Sequence, residues 1–399
     1  MNAEVPQKLP YNGEMLRWAR EWRGRTAEEA AHRVSVPVER LIAWEDVGDA
    51  DFPTVRQARE LADLYGREFL EFFYDEKPEI KESGLIPDYR LHKDADDPRS
   101  NREILEIQHW AEIQRINALE LYDDLKETPS PFPADLKATI ADSVEGFAEQ
   151  ARTALSFSFA AQRSLKYKDR QDLPNILRGR MDDFGILVLR ENALAKFGVS
   201  GLTIVQFPLP IIVFAAEAPA RSVFTLMHEF AHIVLRESAI SGLERSRDGV
   251  TRERQVERWC DKFAAAFLSP KSAVEDLRGL PPAVPAKFID DMTLAAIANH
   301  FKVSQHAMLI RLVDLGYVSP DYYWGVKRPQ FLADEAKWKN KGIAKVWASR
   351  VWNQVGLLYT GLVLEALGTG KIRPHQAQAL FGVSNPAHLA AIRQEFGGV

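Results

Sequence analysis

A chain of 399 residues exceeds what one ordinary compact core holds, so two or three domains are expected. Hydrophobic residues make up 46% and charged residues 27%, which excludes a fibrous or wholly disordered protein and leaves ample material for a large core. With 51 basic and 56 acidic residues the net charge is -5, so the chain cannot coat nucleic acid and any DNA contact must be local. The single cysteine, Cys260, rules out an internal disulfide framework, and the opening MNAEVPQKLPYNGE lacks the basic-then-apolar layout of a secretory signal; a cytoplasmic location is expected. The most apolar stretch, Leu202 to Ala216, is broken by Gln206, Pro208 and Pro210 and falls short of the roughly 18 apolar residues of a membrane span, so no membrane partner is expected.

From Tyr11 to Tyr74 apolar residues recur at helical spacing in short blocks, predicting a compact helical domain over 10–76. Thr26 ahead of AEEAAHRV, with Glu29 three residues on, has the pattern of a capping box. A break at Val34-Ser35 and the run VERLIAWE then predict a second short helix. The segment LRWAREWRGRTAEEAAHRVSVPVERLIAWEDVGDADFPTVRQARELADLYG, with its arginine-bearing first helix, WE pair and following PT, resembles the repressor-type helix-turn-helix family over roughly the first 75 residues. That resemblance implies DNA as a partner. Contacts would fall to Arg17 and Arg20, with Arg23 and Arg25 adding phosphate neutralisation, and to Arg40, the one cation of the recognition helix VPVERLIAWE. Residues 1–80 nevertheless hold 11 basic against 17 acidic residues. Protein docking or a homodimer therefore stands beside DNA binding, and the arginines are equally compatible with a solvated face.

Lys81 to Ser100, polar and carrying Pro87, Pro98 and the run KDADD, reads as a linker. Asn101 to Glu127 reads as one long helix with an apolar face of Ile104, Leu105, Ile107, Trp110, Ile113, Ile116, Leu119 and Leu121, closed by ETPSPFP. Linker and helix together make 77–147 a helical spacer. Helices over Ala148 to Phe159 and Asn175 to Phe184 lead into three β-rich runs, GILVLR from Gly185, LTIVQF from Leu202 and IIVFA from Ile211. These open a further domain over 148–275. After Pro281 and Pro282 the chain turns helical again, as a helix-turn-helix-like segment over 285–330 and a helical C-terminal region over 331–399. The fragments AAHRVSVPVERLIAW, IANHFKVSQHAMLIRL and QAQALFGVSNPAHLAAI share an order of helix, Val-Ser turn and helix. They represent either three related units or a serine that caps the following helix. The fold class expected is mainly α with a small β-sheet, α+β.

The chemistry concentrates in FTLMHEFAHIVL, an apolar helical block containing HEFAH. Histidines at i and i+4 stand one above the other, close enough for His228 and His232 to reach one cation. Zinc accepts imidazole, prefers four ligands and keeps one position for water in catalytic sites; Glu229 is placed as a base rather than a ligand. The bland alternative is a pair of core histidines bonded to backbone. Glu257, 25 positions beyond His232, borders the buried stripe Val256, Trp259, Cys260, Phe263, Ala264 and Phe267, where a carboxylate requires a cation nearby. Glu253, one turn earlier, is the competing third ligand but sits between Arg252 and Arg254. Asp261, one turn beyond Glu257, can accept from the distal nitrogen of a ligating histidine.

HExxH with a downstream ExxxD resembles the arrangement of thermolysin-like peptidases. More closely, PARSVFTLMHEFAHIVL and ERWCDKFAAAFLSP resemble the ImmA/IrrE family of metallo-endopeptidases over about Ala148 to Val318. The family usually has Asn where this chain has Asp261 and Ala where it has Cys260. The first change keeps a histidine partner; the second places a thiol that is either a ligand or redox group or simply a small buried residue. The resemblance implies intracellular zinc-dependent cleavage of a regulatory protein, commonly a helix-turn-helix repressor, to control gene expression. The thermolysin-like resemblance also implies that IIVFA, if it is the sheet edge, pairs with an extended substrate. Arg221, His300, Tyr322 and Tyr323 are candidates for an electrophilic group. Two rivals remain: a transcription regulator whose peptidase-like domain senses a ligand, and a toxin-antitoxin or phage-control component that binds proteins without cutting them. The segment RESAISGLERSRDGVTRER between the two site helices is either a gate or a solvated loop.

Overall fold

The computed structural model describes residues 11–46, 51–67, 69–77, 98–165, 173–215, 218–242, 251–277, 288–337 and 347–396. The chain divides into two compact units, residues 1–84 with 96–103, and residues 85–95 with 104–399. Most of the expected linker, Lys81 to Ser100, and the middle of the segment between the site helices lie outside the described residues.

In the first unit, α1 (Gly13–Trp22), α2 (Ala27–Arg33), α3 (Val38–Trp44) and α4 (Val55–Tyr65) precede a 3-10 turn over Phe69–Phe73. Local chemistry sets these boundaries. Thr26 and Glu29 form the expected capping box, Thr54 and Gln57 form a second, and Ser35 takes a left-handed φ of 55° in the turn between α2 and α3. Leu16, Ala19, Ala30, Leu41, Trp44, Leu61, Tyr65 and Phe72 make the core. Arg20, expected among the phosphate contacts, makes three intramolecular hydrogen bonds. Its Nε and Nη2 donate to Glu45 Oε1 and Oε2 at 2.6 and 2.8 Å, and Nη1 donates to the Arg25 carbonyl at 3.0 Å. Glu45 is 3% exposed, so this fork satisfies a buried carboxylate and ties α1 to the end of α3. Arg17 is half exposed, while Arg40 donates to Asp51 at 2.9 Å and lies over the Trp44 ring.

The second unit carries most of α5 (Pro98–Leu125), then α6 (Val144–Ala154), α7 (Phe159–Ser164) and α8 (Leu173–Asp182). The helix expected over Ala148 to Phe159 breaks because Ser156 adopts a φ of 49° and Ser158 caps α7 through the Ala161 N–H. Strands β1 (Leu187–Arg190), β2 (Val199–Ile204), β3 (Ile211–Phe214) and β4 (Ala239–Gly242) form a mixed sheet in the order β1-β3-β2-β4. β1 pairs parallel to β3, and β2 pairs antiparallel to both β3 and β4. IIVFA is therefore an interior strand, not the edge available to a substrate, because β1 occupies its second side. Helix α9 (Pro219–Leu235) lies between β3 and β4 in sequence, and α10 (Arg252–Leu268), α11 (Lys271–Glu275), α12 (Asp291–Phe301) and α13 (Gln305–Asp314) follow. The short α14 (Pro320–Tyr322) runs through a π turn at Tyr323–Lys327 into α15 (Arg328–Lys337). Then come α16 (Trp347–Val355), α17 (Leu357–Gly368), α18 (Pro374–Leu380) and α19 (Pro386–Phe396).

The sheet is buried on both faces, which is why its strands read as apolar runs rather than alternations. Val188, Ile212 and Phe214 join the core built by α6 and α8 to α10, whereas Leu187, Leu189, Ile211 and Val213 join a second core with α5 and α16 to α19. Helix α5 is consequently no free spacer from Ile104 onward: Ile104, Ile107, Ala111, Ala118 and Leu121 pack into that second core, while Ile113 and Ile116 remain half exposed. The three Val-Ser fragments differ at the turn. Ser304 caps α13 through the Ala307 N–H, Asn385 rather than Ser384 caps α19, and α3 has no side-chain cap at all. No helix among the described residues is long and apolar enough to cross a membrane.

Candidate metal centre

Helix α9 begins with Pro219 in its first turn and ends where Arg236 takes a left-handed φ of 61°. From Ser222 to Val234 all but Phe224 are buried, because the helix packs between the sheet and α10. Thr251 caps the start of α10. The far end of α10 is held by three buried side chains: Arg152 donates to the Phe267 carbonyl, Gln162 to Leu268 at 2.8 Å, and Arg311 to Ser269 at 2.8 Å. Arg311 is itself gripped by both oxygens of Glu145 at 2.6 and 2.7 Å. Satisfying these terminal carbonyls from α6, α7 and α13 anchors α10 so that Glu257 and Asp261 face α9.

Two imidazole nitrogens and both oxygens of one carboxylate then converge. His228 Nε2 and His232 Nε2 lie 3.3 Å apart; Glu257 Oε2 is 3.2 Å from the first and Oε1 is 3.1 Å from the second. Bond lengths of about 2.0–2.1 Å around a tetrahedral zinc require ligand atoms about 3.3 Å apart, which all three separations match. His228 Nδ1 lies 3.2 Å from Asp261 Oδ1, the contact that orients a ligating imidazole. His228 and His232 are buried, while Glu257 and Asp261 are about one-fifth exposed at 21% and 17%. Glu253 sits in the exposed first turn of α10, one turn from the cluster.

The electrostatics favour a positive charge here. Burial alone would push the His228 imidazole down, but the Glu257 charge and the carboxylates bonded to its ring raise it well above its ordinary range. Burial likewise pushes Glu257 up, and His228 and His232 outweigh it, bringing the carboxyl below its ordinary value.

Glu229 is fully buried beneath β2. Thr203 Oγ1 donates to its Oε2 at 2.6 Å, and a Cβ on Gly201 would lie 2.6 Å from Oε1 and 2.8 Å from both Cδ and Cγ. Gly201 thus makes the space that the carboxylate occupies. Burial raises the Glu229 carboxyl, only partly offset by the two histidines and Thr203, which suits a group that must both take and return a proton. Ser241, on edge strand β4, places Oγ 3.3 Å from His232 Nε2. Cys260 is buried, with its thiol pushed well above its usual value by burial and by Glu257 and Glu229.

Three of the four sequence-derived electrophile candidates have contacts of their own. Tyr322 OH donates to the Ile289 carbonyl, Tyr323 OH pairs with His306, and the His300 ring packs on Phe159 and Phe301. Gly201, Thr203 and Ser241 were not legible as site residues. The usable signal lay in VSGLTI, where Gly and Thr two positions apart share one face of an apolar strand. No curated protein matches the chain. The family model described as the IrrE N-terminal-like domain, Peptidase_M78, matches residues 181–313, from the end of α8 through nearly all of α13, so the stretch holding every candidate ligand is similar to the metallopeptidase-like domains of the ImmA/IrrE kind.

Proposed function

We propose that this chain is a zinc-dependent endopeptidase that hydrolyses a peptide bond in a regulatory protein, with His228, His232 and Glu257 as metal ligands. The observation that carries this reading is the convergence of His228 Nε2, His232 Nε2 and the two Glu257 carboxylate oxygens at separations of 3.1–3.3 Å. A zinc ion bound there supplies an activated water and a Lewis acid for the scissile carbonyl. Asp261 holds His228 in the tautomer that directs Nε2 inward. Glu229, steadied by Thr203, takes the proton from the attacking water and returns it to the leaving amine. Ser241 Oγ stands on the β4 side of the site, where it can donate to the substrate carbonyl oxygen.

The substrate class we favour is a transcriptional repressor, and the N-terminal unit, read as a helix-turn-helix domain, is the module that brings the peptidase to its target. With Arg20 committed to Glu45, few cations remain for DNA phosphates, and docking to protein becomes the better-supported role for that unit. The deciding experiment measures zinc content of the purified full chain and follows cleavage of a quenched-fluorescence peptide library, wild type beside Glu229→Gln. The variant is expected to keep its zinc and lose cleavage. Equal cleavage by both proteins would end the peptidase reading.

A further inference from the structure

The turn of α10 that presents Glu257 also presents Cys260, three residues on and therefore on nearly the same face. Its sulfur forms a cluster with the ligand atoms of His228 and His232 in which all members lie within 4.8 Å of one another, and all three residues are buried. The site thus offers two donor sets on one pair of imidazoles, a carboxylate and a thiol. These differ in chemistry. Two imidazoles, a carboxylate and a water make an open hydrolytic centre, whereas a thiolate in the fourth position belongs to closed, coordinatively complete zinc sites and favours soft cations.

We propose that Cys260 is a metal ligand in this chain: its thiolate supplies a fourth protein donor beside His228, His232 and Glu257, so that the resting centre is closed to water and opens when the sulfur is displaced. The proposal rests on the hydrolytic reading above and deepens it, since it assigns the centre a resting form distinct from its working form. Geometry carries it. A sulfur bound at about 2.3 Å lies roughly 3.5 Å from imidazole nitrogens bound to the same tetrahedral ion. The atoms of the observed cluster lie within 4.8 Å of one another, and the cysteine side chain has one rotatable bond with which to close to that distance. The step balances simply: the S–H bond breaks, a metal–sulfur bond forms, and the proton leaves to solvent. No oxidant is involved.

The test uses the full-length protein stripped of metal and reloaded with cobalt(II), which reports its ligands by colour. Wild type is expected to show the visible ligand-field bands of a tetrahedral site and, in addition, a near-ultraviolet sulfur-to-cobalt charge-transfer band. Cys260→Ala and Cys260→Ser are expected to keep the visible bands and lose the charge-transfer band. Zinc-edge X-ray absorption of the wild type needs no variant and is expected to find one sulfur at about 2.3 Å. Visible bands without the charge-transfer band in wild type, or only nitrogen and oxygen neighbours around zinc, would overturn the role of Cys260 and leave the other three ligands standing. No tetrahedral bands in wild type or either variant would overturn those ligands too, and with them both proposals.

Discussion

Gly201→Ala is expected to leave the metal centre loaded and to slow hydrolysis about 100-fold. The added Cβ would lie 2.6 Å from Glu229 Oε1, some 0.8 Å short of the 3.4 Å at which ordinary contact begins. Swinging the carboxylate end alone does not relieve this, because Cγ and Cδ are also met at 2.8 Å. The strand cannot yield easily either, since β2 is paired on both sides. Glu229 must therefore retreat along α9 and lose its 2.6 Å hydrogen bond from Thr203. A displacement approaching 1 Å in a reacting group costs on the order of 10²-fold in rate, about 2.7 kcal/mol of transition-state stabilisation. The overpacked strand costs a further 1–3 kcal/mol or so of folding stability. The three atoms nearest the added Cβ all belong to Glu229 rather than to His228, His232 or Glu257. The assay compares kcat/KM on a peptide the wild type cleaves, alongside zinc stoichiometry and thermal melting. Full activity in a folded, zinc-loaded Gly201→Ala protein would refute the placement of Glu229 as the base.

Glu257→Ala should weaken zinc binding by more than the roughly 10–100-fold expected for Asp261→Ala, whereas Glu253→Ala, altered in the exposed first turn of α10, should bind like wild type; chelator competition measures all three, and metal loss confined to Glu253→Ala would reverse the ligand assignment. Because the His228 imidazole is held well above its ordinary value, the metal-free protein keeps a proton there at neutral pH that zinc must displace. Zinc affinity should accordingly weaken as pH falls and strengthen as pH rises towards that raised value, with calorimetry at neutral pH reading release of the His228 proton and, with Cys260 as fourth ligand, of the thiol proton as well; binding indifferent to pH would argue against coordination through His228. Arg20→Ala strands the buried Glu45 carboxylate and should cost the N-terminal unit about 3–5 kcal/mol in urea unfolding, most of it recovered in a double variant that also replaces Glu45 with an apolar residue. A loss under about 1 kcal/mol would return Arg20 to the surface and to the phosphate contacts.

Much of this protein was legible in local pattern. Capping residues such as Thr26 and the periodic apolar blocks of the first unit specify helices through bonds within a few residues, so the sequence alone locates them. The same holds for HEFAH, because helical geometry by itself stacks His228 on His232. Glu257 and Asp261 were inferable from spacing along one helix, but their distances to the histidines depend on how α9 packs against α10. What only the tertiary structure decided is everything that depends on chain crossing. The strand order placed IIVFA inside the sheet, since pairing partners 20 or more residues apart leave no local signature. Burial of the sheet on both faces drew α5 and the C-terminal helices into one core with it, where an apolar stripe could not say what it would cover. Arg20 looked like any exposed helical cation until Glu45, 25 residues away, was found buried beneath it. Gly201 and Thr203 acquired their meaning only when the sheet was laid against Glu229, because a missing Cβ and a single hydroxyl matter only for the group that arrives beside them.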